Sequence, residues 1–252
     1  MINLTFPVLN AIDGWLAHWV PVMLRVALWG VASGVAALGL YAALSDQPGL
    51  ARLKRATRGL RREMLDPDLD RDAYMRLVRQ NLAQSFRLLG KSLVPSMLSS
   101  VPVLVIVLWL SVYYSYDRPP PGEAVPVDVV PAQADVLPAS IPPLQRTADG
   151  TRLMVGDAPQ PVRFVDAAGT VYQGTPDDPP TPVVQKRTWW NALLGNQAGY
   201  IRADAAADEI RFQFPFKHLL SGVPEWMATW ELTYFLSLVV AALICKFGLK
   251  IE

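Results

Sequence analysis

The sequence predicts a mainly α integral membrane protein: three transmembrane helices, a cytoplasmic helical hairpin and a small β-containing, Pro-rich external insert. Three observations carry that prediction. Of the 252 residues 52% are hydrophobic and 18% charged, with eight tryptophans, the balance of a chain that shares its space with lipid. Residues 22–44 and 95–114 are each apolar enough to cross about 30 Å of hydrocarbon at about 1.5 Å per helical residue, and 229–247 joins them with Glu231 at its edge. The segments between these runs differ sharply, one basic and the other rich in proline.

Residues 1–21 contain no Lys or Arg, which argues against an ordinary signal peptide with its basic n-region. Phe6, Trp15 and Trp19, set among few charges, have the pattern of an interfacial segment at headgroup depth, the alternative being a disordered start. The first span, 22–44, holds Arg25 and Ser33 together with Gly30, Gly34 and Gly39, small residues suited to close helix packing.

Residues 45–93 carry 11 Lys and Arg against 6 Asp and Glu. Leu50, Leu53, Thr57, Leu60 and Met64 step by three and four, and after DPDLD at 66–70 the pattern resumes with Tyr74, Leu77, Asn81, Leu82, Ser85 and Leu88. The reading is two amphipathic helices forming an antiparallel coiled-coil hairpin, the first ended by Asp66-Pro67 and the second capped by Asp70. Thr57, Asn81 and Ser85 weaken the seam, so the arm is expected to be mobile. Its basic residues, Arg52, Lys54, Arg55, Arg58, Arg61 and Arg62 among them, fit rRNA or anionic lipid, or serve only to fix topology. The arm passes into the second span, 95–114, without a long loop. Pro95 and Pro102 bracket SMLSS there, so the entry is expected to be kinked and locally polar. The serines either re-satisfy carbonyls freed by proline or cap the helix at the interface.

Residues 115–225 form the external insert, with 14 prolines between 115 and 184 in groups such as RPPPG, IPPL and DDPPTP. VRFVDAAGTVYQG reads as a β-hairpin turning over Asp166 to Gly169, and RLMV at 152–155 as a third strand. A unit that small is expected to be barely stable alone. Trp189, Trp190, Phe212, Phe214, Phe216 and Trp226 point either to an interfacial segment or to the core of a small external domain.

Residues 114–225 carry 9 Lys and Arg against 13 Asp and Glu, so the positive-inside rule places 45–93 in the cytoplasm and the insert outside. Lys246 and Lys250 near the end of the third span, 229–247, agree, giving an external N-terminus and a cytoplasmic C-terminus in the inner membrane. Arg25 and Glu231 fall at similar depth below the outer boundary, which permits an ion pair or, for Arg25, snorkelling to the headgroups. Cys245 is the single cysteine, so no intramolecular disulfide braces the insert. No metal-ligand spacing, glycine-rich nucleotide motif or Ser/His/Asp signature is present, and neither an enzyme nor a cofactor is expected.

SFRLLGKSLVPSMLSSVPVLVIVLWL at 85–110 and WMATWELTYFLSLVVAALICKFGLK at 226–250 resemble the YidC/Oxa/Alb insertase superfamily. The likeness includes the order of parts: external N-terminus, one span, basic hairpin, Pro-entered second span, third span with a Lys-bearing tail. It is greatest to the small three-span branch, which includes archaeal YidC-like proteins and the ER membrane complex subunit of this fold. It covers residues 8–114 and 222–252, and the Pro-rich insert departs from it. The resemblance implies a membrane-protein insertase or chaperone that makes and breaks no bond but offers translocating segments a groove open to cytoplasm and lipid. Arg25, Ser33, Ser96, Ser99, Ser100 and Glu231 would line that groove. Besides the bilayer, its partners would be nascent membrane proteins and, through the arm, the ribosome. A second reading is a non-enzymatic accessory subunit of a larger inner-membrane complex, docked to other membrane subunits through the insert. An ion channel is a third, against which stands that only Arg25 and Glu231, apart from the tail's Lys246, put charge within or at the edge of a span.

Overall fold

In the computed structural model, residues 2–66, 69–132, 134–139, 143–147 and 150–248 are described. Pro67 and Asp68 of the expected turn, Ile141 and Pro142 of the IPPL group, and Lys250 lie outside them. The chain divides into two compact units, 1–25 with 107–232 and 26–106 with 233–252.

A short 3-10 turn leads into helix α1 (Phe6–Leu16), where Pro7 occupies the first turn, a position that needs no N–H donor. Helix α2 (Val22–Leu44) follows Pro21, whose carbonyl accepts from Arg25 N at 3.1 Å. Helix α3 (Gln47–Glu63) is capped by Asp46, which takes the Gly49 N–H at 2.9 Å. Helix α4 (Arg71–Tyr113) begins directly after Asp70, whose carbonyl accepts from Tyr74 N at 2.8 Å. Among the described residues, three helices are long and apolar enough to cross a membrane: α2, α4 and α7 (Trp230–Gly248).

Helix α4 carries the direct junction of arm and span expected from the sequence. The second hairpin helix and the second span are one helix of 43 residues, about 65 Å long at about 1.5 Å per residue. Pro95 and Pro102 lie inside it. Each removes one ladder bond, but a break at membrane depth would strand several more backbone groups, and the helix persists. The serine hydroxyls do not reach the carbonyls that these prolines free, those of Lys91 and Leu98. Ser96 donates to Ser92 O at 2.7 Å, Ser99 to Ser96 O at 2.9 Å and Ser100 to Met97 O at 2.7 Å.

In the arm Leu50 and Thr57 are buried, and Thr57 satisfies its own hydroxyl on Leu53 O at 2.9 Å. Leu77, Asn81, Gln84, Ser85 and Leu88 form the sheltered stripe of α4. Asn81 Oδ1 and Gln84 Oε1 are buried there without a partner among the described residues, so this seam holds the helices weakly. Asp46 and Lys91 tie the foot of the arm at 3.2 Å.

The insert is larger than the three strands expected of it. Among the described residues, eight strands form two antiparallel sheets. One has five strands in the order β3 (Leu144–Thr147), β4 (Gly150–Met154), β1 (Ala124–Val130), β8 (Glu209–Phe212), β7 (Val183–Gln185); the other has three, β2 (Leu137–Pro138), β5 (Val162–Asp166), β6 (Gly169–Gly174). The hairpin read from VRFVDAAGTVYQG is β5–β6, with Gly169 at φ +118° in its turn, a conformation that suits glycine. The strand read from RLMV is β4, which pairs with β1 and β3 and not with that hairpin. Strand β1 turns Val125 and Val127 inward while Pro126 and Asp128 face out, and β8 does the same with Ile210 and Phe212. These side chains join Leu153, Phe164, Tyr172 and Val184 in one buried core. Phe212 and Phe214 are therefore core residues, whereas Trp189, Phe216 and Trp226 are exposed. Two short helices, α5 (Trp189–Leu194) and α6 (Glu225–Ala228), complete the unit.

The insert's entry and exit strands lie side by side. Tyr116 and Phe216 form an antiparallel bridge with rings stacked at 5.1 Å, Asp117 N donates to Pro215 O at 3.0 Å and Lys217 N to Ser115 O at 2.9 Å. Inside this clasp, Arg118 binds the buried Asp177 at 3.2 Å and Gly156 O at 2.8 Å. Burial still pushes the Asp177 carboxyl above its ordinary value. Because the core closes on itself, residues 116–217 expressed alone are expected to unfold as one cooperative unit. Circular dichroism over a denaturant series checks this, and a non-cooperative trace would return the insert to a set of strands that need the rest of the chain.

Candidate functional site

In the first unit, a polar cluster gathers where α1, the first turn of α2 and the end of α4 meet. Asp13 accepts from the Arg25 guanidinium, and Tyr114 donates its hydroxyl to the same Asp13 Oδ2 at 2.6 Å. The side chains of Arg25 and Asp13 are only 15% and 12% exposed, so the charges are held against each other away from water. The Arg25 guanidinium and the Lys217 ammonium lie 5.9 and 5.4 Å from the centroid of the Tyr114 ring. Trp109 donates its indole N–H to Asn10 at 2.6 Å beside them. Arg25 thus pairs with Asp13 and not with Glu231, whose Oε2 is buried without a partner among the described residues. Asp13 was missed in the sequence; that it is the one acid in an N-terminal segment free of Lys and Arg could have marked it, but nothing in the spacing ties it to Arg25.

In the second unit, α2 and α7 pack through glycines. A Cβ at Gly30 would lie 2.5 Å from Tyr234 O and collide with Ser237 Oγ; one at Gly34 would lie 2.7 Å from Leu238 O. Gly39 has nothing within 4 Å and takes no part. Because position 30 meets 234 and 237 while position 34 meets 238 and 241, the two helices run parallel. Ser33 sits in this contact, fully buried. It donates to Trp29 O at 2.7 Å and accepts from Tyr234 at 2.9 Å. Ser33 therefore joins two helices and does not face an open groove.

The serines of α4 divide between two faces. Ser99 is buried, with Pro95 one turn before it. Ser96 and Ser100 are exposed, and Leu89, Leu93, Met97, Val101 and Leu104 extend the same exposed stripe. Each hydroxyl donates within its own helix, which leaves oxygen lone pairs facing outward as acceptors. On α3, Arg52, Arg55, Arg58, Arg61 and Arg62 are exposed and Lys54 half-buried; Arg61 and Arg62 occupy the last turn, where cations suit the helix dipole. Of the residues expected to line one groove, Arg25 and Glu231 belong to the first unit and the four serines to the second.

Three helices long and apolar enough to cross a membrane make this a multi-pass membrane protein, and among the described residues a β region of eight strands lies in the chain between the second and third of them. No family model, curated protein or solved structure matches the chain.

Proposed function

We propose that this protein is a membrane-protein insertase or chaperone of three-span type in the inner membrane, related to the small branch of the YidC/Oxa/Alb superfamily. The observation that carries the reading is α4: one uninterrupted helix joins a basic amphipathic arm to an exposed stripe bearing Ser96, Met97 and Ser100. A polar group crossing bare hydrocarbon costs several kcal/mol when unsatisfied, and outward-facing hydroxyl oxygens offer an entering segment acceptors at that depth. Met97, 64% exposed, adds a flexible apolar contact that adapts to different sequences. The arm, with its excess of Arg and Lys, meets the ribosome or nascent chain on the cytoplasmic side, and the β region lies outside.

The orientation is tested with Cys245 replaced by Ser. A cysteine at Gly59, where a Cβ meets nothing within 4 Å, is expected to escape a membrane-impermeant thiol reagent in intact cells, while one at the exposed Ala206 is labelled. The reverse pattern contradicts the proposed topology.

The β region favours a second reading, an accessory subunit docked on a membrane complex, because it has its own core and displays Trp189, Trp190, Leu193 and Phe216 on its surface. The clasp at Tyr116 and Phe216 permits a clean test: residues 118–215 are replaced by a short Gly-Ser linker. If the protein is an insertase, the shortened chain still co-purifies with ribosomes and nascent chains in mild detergent. If it is an accessory subunit, the full chain co-purifies with a fixed set of membrane subunits and the shortened one loses them.

A further inference from the structure

At the foot of the arm, α3 and α4 leave a cleft of about 490 Å³ lined by Gly49, Arg52, Leu53, Arg87, Gly90 and Lys91. Its place along the chain fixes its depth. Asp46 stands two residues beyond the end of α2, and Lys91 one turn before Pro95, where the apolar run of α4 begins. The cleft therefore sits where the spans give way to the water-facing arm, at the level of phospholipid headgroups. Its charge is lopsided. Lys91 has Asp46 as partner at 3.2 Å, whereas Arg52 and Arg87 form no ion pair among the described residues. The two glycines keep the walls low, and at Gly90 a Cβ would meet nothing within 4 Å. Leu53 supplies an apolar side to the lining, and the exposed Leu93 and Val94 follow within the next turn of α4.

We propose that this cleft binds the phosphate of an anionic phospholipid, with Arg52 and Arg87 donating charge-assisted hydrogen bonds to its oxygens and the acyl chains lying along Leu93 and Val94. Planar guanidinium forks suit a phosphodiester, and two of them facing one cleft at headgroup depth distinguish it from the rest of the basic arm. Arg58 and Arg62, farther along α3, line no part of it.

The test uses the full chain in neutral detergent, titrated with phosphatidylglycerol or phosphatidylcholine and read by native mass spectrometry. Phosphatidylglycerol is expected to bind at least about tenfold more tightly than phosphatidylcholine, and R52Q/R87Q to weaken it by about tenfold or more, while R58Q/R62Q, which removes the same charge, leaves it within about twofold. Equal weakening by both pairs overturns the site in favour of diffuse attraction. Equal binding of the two lipids overturns the preference for an anionic headgroup. Millimolar inorganic phosphate is expected not to displace the lipid; displacement with phosphate adducts retained would make soluble phosphate the ligand and remove the lipid assignment. Should the Gln variants fail to fold, the wild type treated with an arginine-specific dicarbonyl gives the answer. Phosphatidylglycerol then protects Arg52 and Arg87 but not Arg58 and Arg62, and equal modification of all four overturns the proposal.

Discussion

Replacing Asp13 by Ala is expected to destabilise the protein by about 3–5 kcal/mol, because it leaves the Arg25 guanidinium buried without its carboxylate. The loss reaches further than one pair, since Tyr114 also gives up the acceptor of its 2.6 Å hydrogen bond. Tyr114→Phe alone removes one hydrogen bond to the carboxylate but leaves the ion pair, and should cost less, about 1.5–3 kcal/mol. Removing both charges, Asp13→Ala with Arg25→Leu, should recover most of the loss, because the cost lies in the unpaired charge more than in the missing attraction. Thermal unfolding in detergent, followed by tryptophan fluorescence, separates these variants. An Asp13→Ala protein as stable as the wild type would mean that Arg25 reaches the headgroups along its own stem and needs no partner.

The second large effect is expected at Gly30. A Cβ there comes within 2.5 Å of the Tyr234 carbonyl, which is backbone and cannot swing aside, so α2 and α7 have to separate. Gly30→Val should therefore cost at the upper end of the roughly 1–3 kcal/mol typical of overpacking, or more, and undo the hydrogen bond between Ser33 and Tyr234. Gly39→Ala in the same helix is the control, with open space around the new methyl and an expected change within about 0.5 kcal/mol. Yield and monodispersity after detergent extraction report both. Equal behaviour of the two variants would show that the glycine contact does not hold these helices together.

The three apolar helices were legible because lipid-facing residues need only be apolar and long enough in run, and composition alone reports that. The β5–β6 hairpin was legible from short alternating runs around a turn ending in glycine, although the register shifts between Phe164 and Val165 and both Val171 and Tyr172 are buried. Strand β1 was hidden by its own proline: Val125 and Val127 alternate as a strand should, but Pro126 between them made the stretch read as linker. Strand β8 was hidden by its aromatics, since Phe212 and Phe214 look alike whether they face headgroups or a core, and only pairing with β1 decides. Long-range partners were beyond reach altogether. Arg25 was singled out correctly as a charge that needs an explanation, but its partner lay in the preceding helix, 12 residues away, and Glu231 at matching depth was the more visible choice. Ser33 was read as lining a groove because a lone serine carries no mark of its acceptor, and Tyr234 lies 201 residues further along. Pro95 and Pro102 mark the junction in the sequence, and both lie inside α4, so arm and span are joined directly.

Photocrosslinking from the exposed stripe of α4 shows whether entering membrane segments meet it, as we propose. A photoreactive amino acid is placed at Met97, and another at Val240 on the exposed face of α7 as a reference. Ribosomes bearing stalled chains with a first transmembrane segment just emerged are then supplied to membranes containing each variant. Crosslinks are expected from position 97 to the nascent segment, lost when the chain is released or when the segment is replaced by a soluble sequence, with few from position 240. Crosslinks from 97 confined to lipid, or to the same mature membrane protein whatever chain is translated, would contradict the proposal.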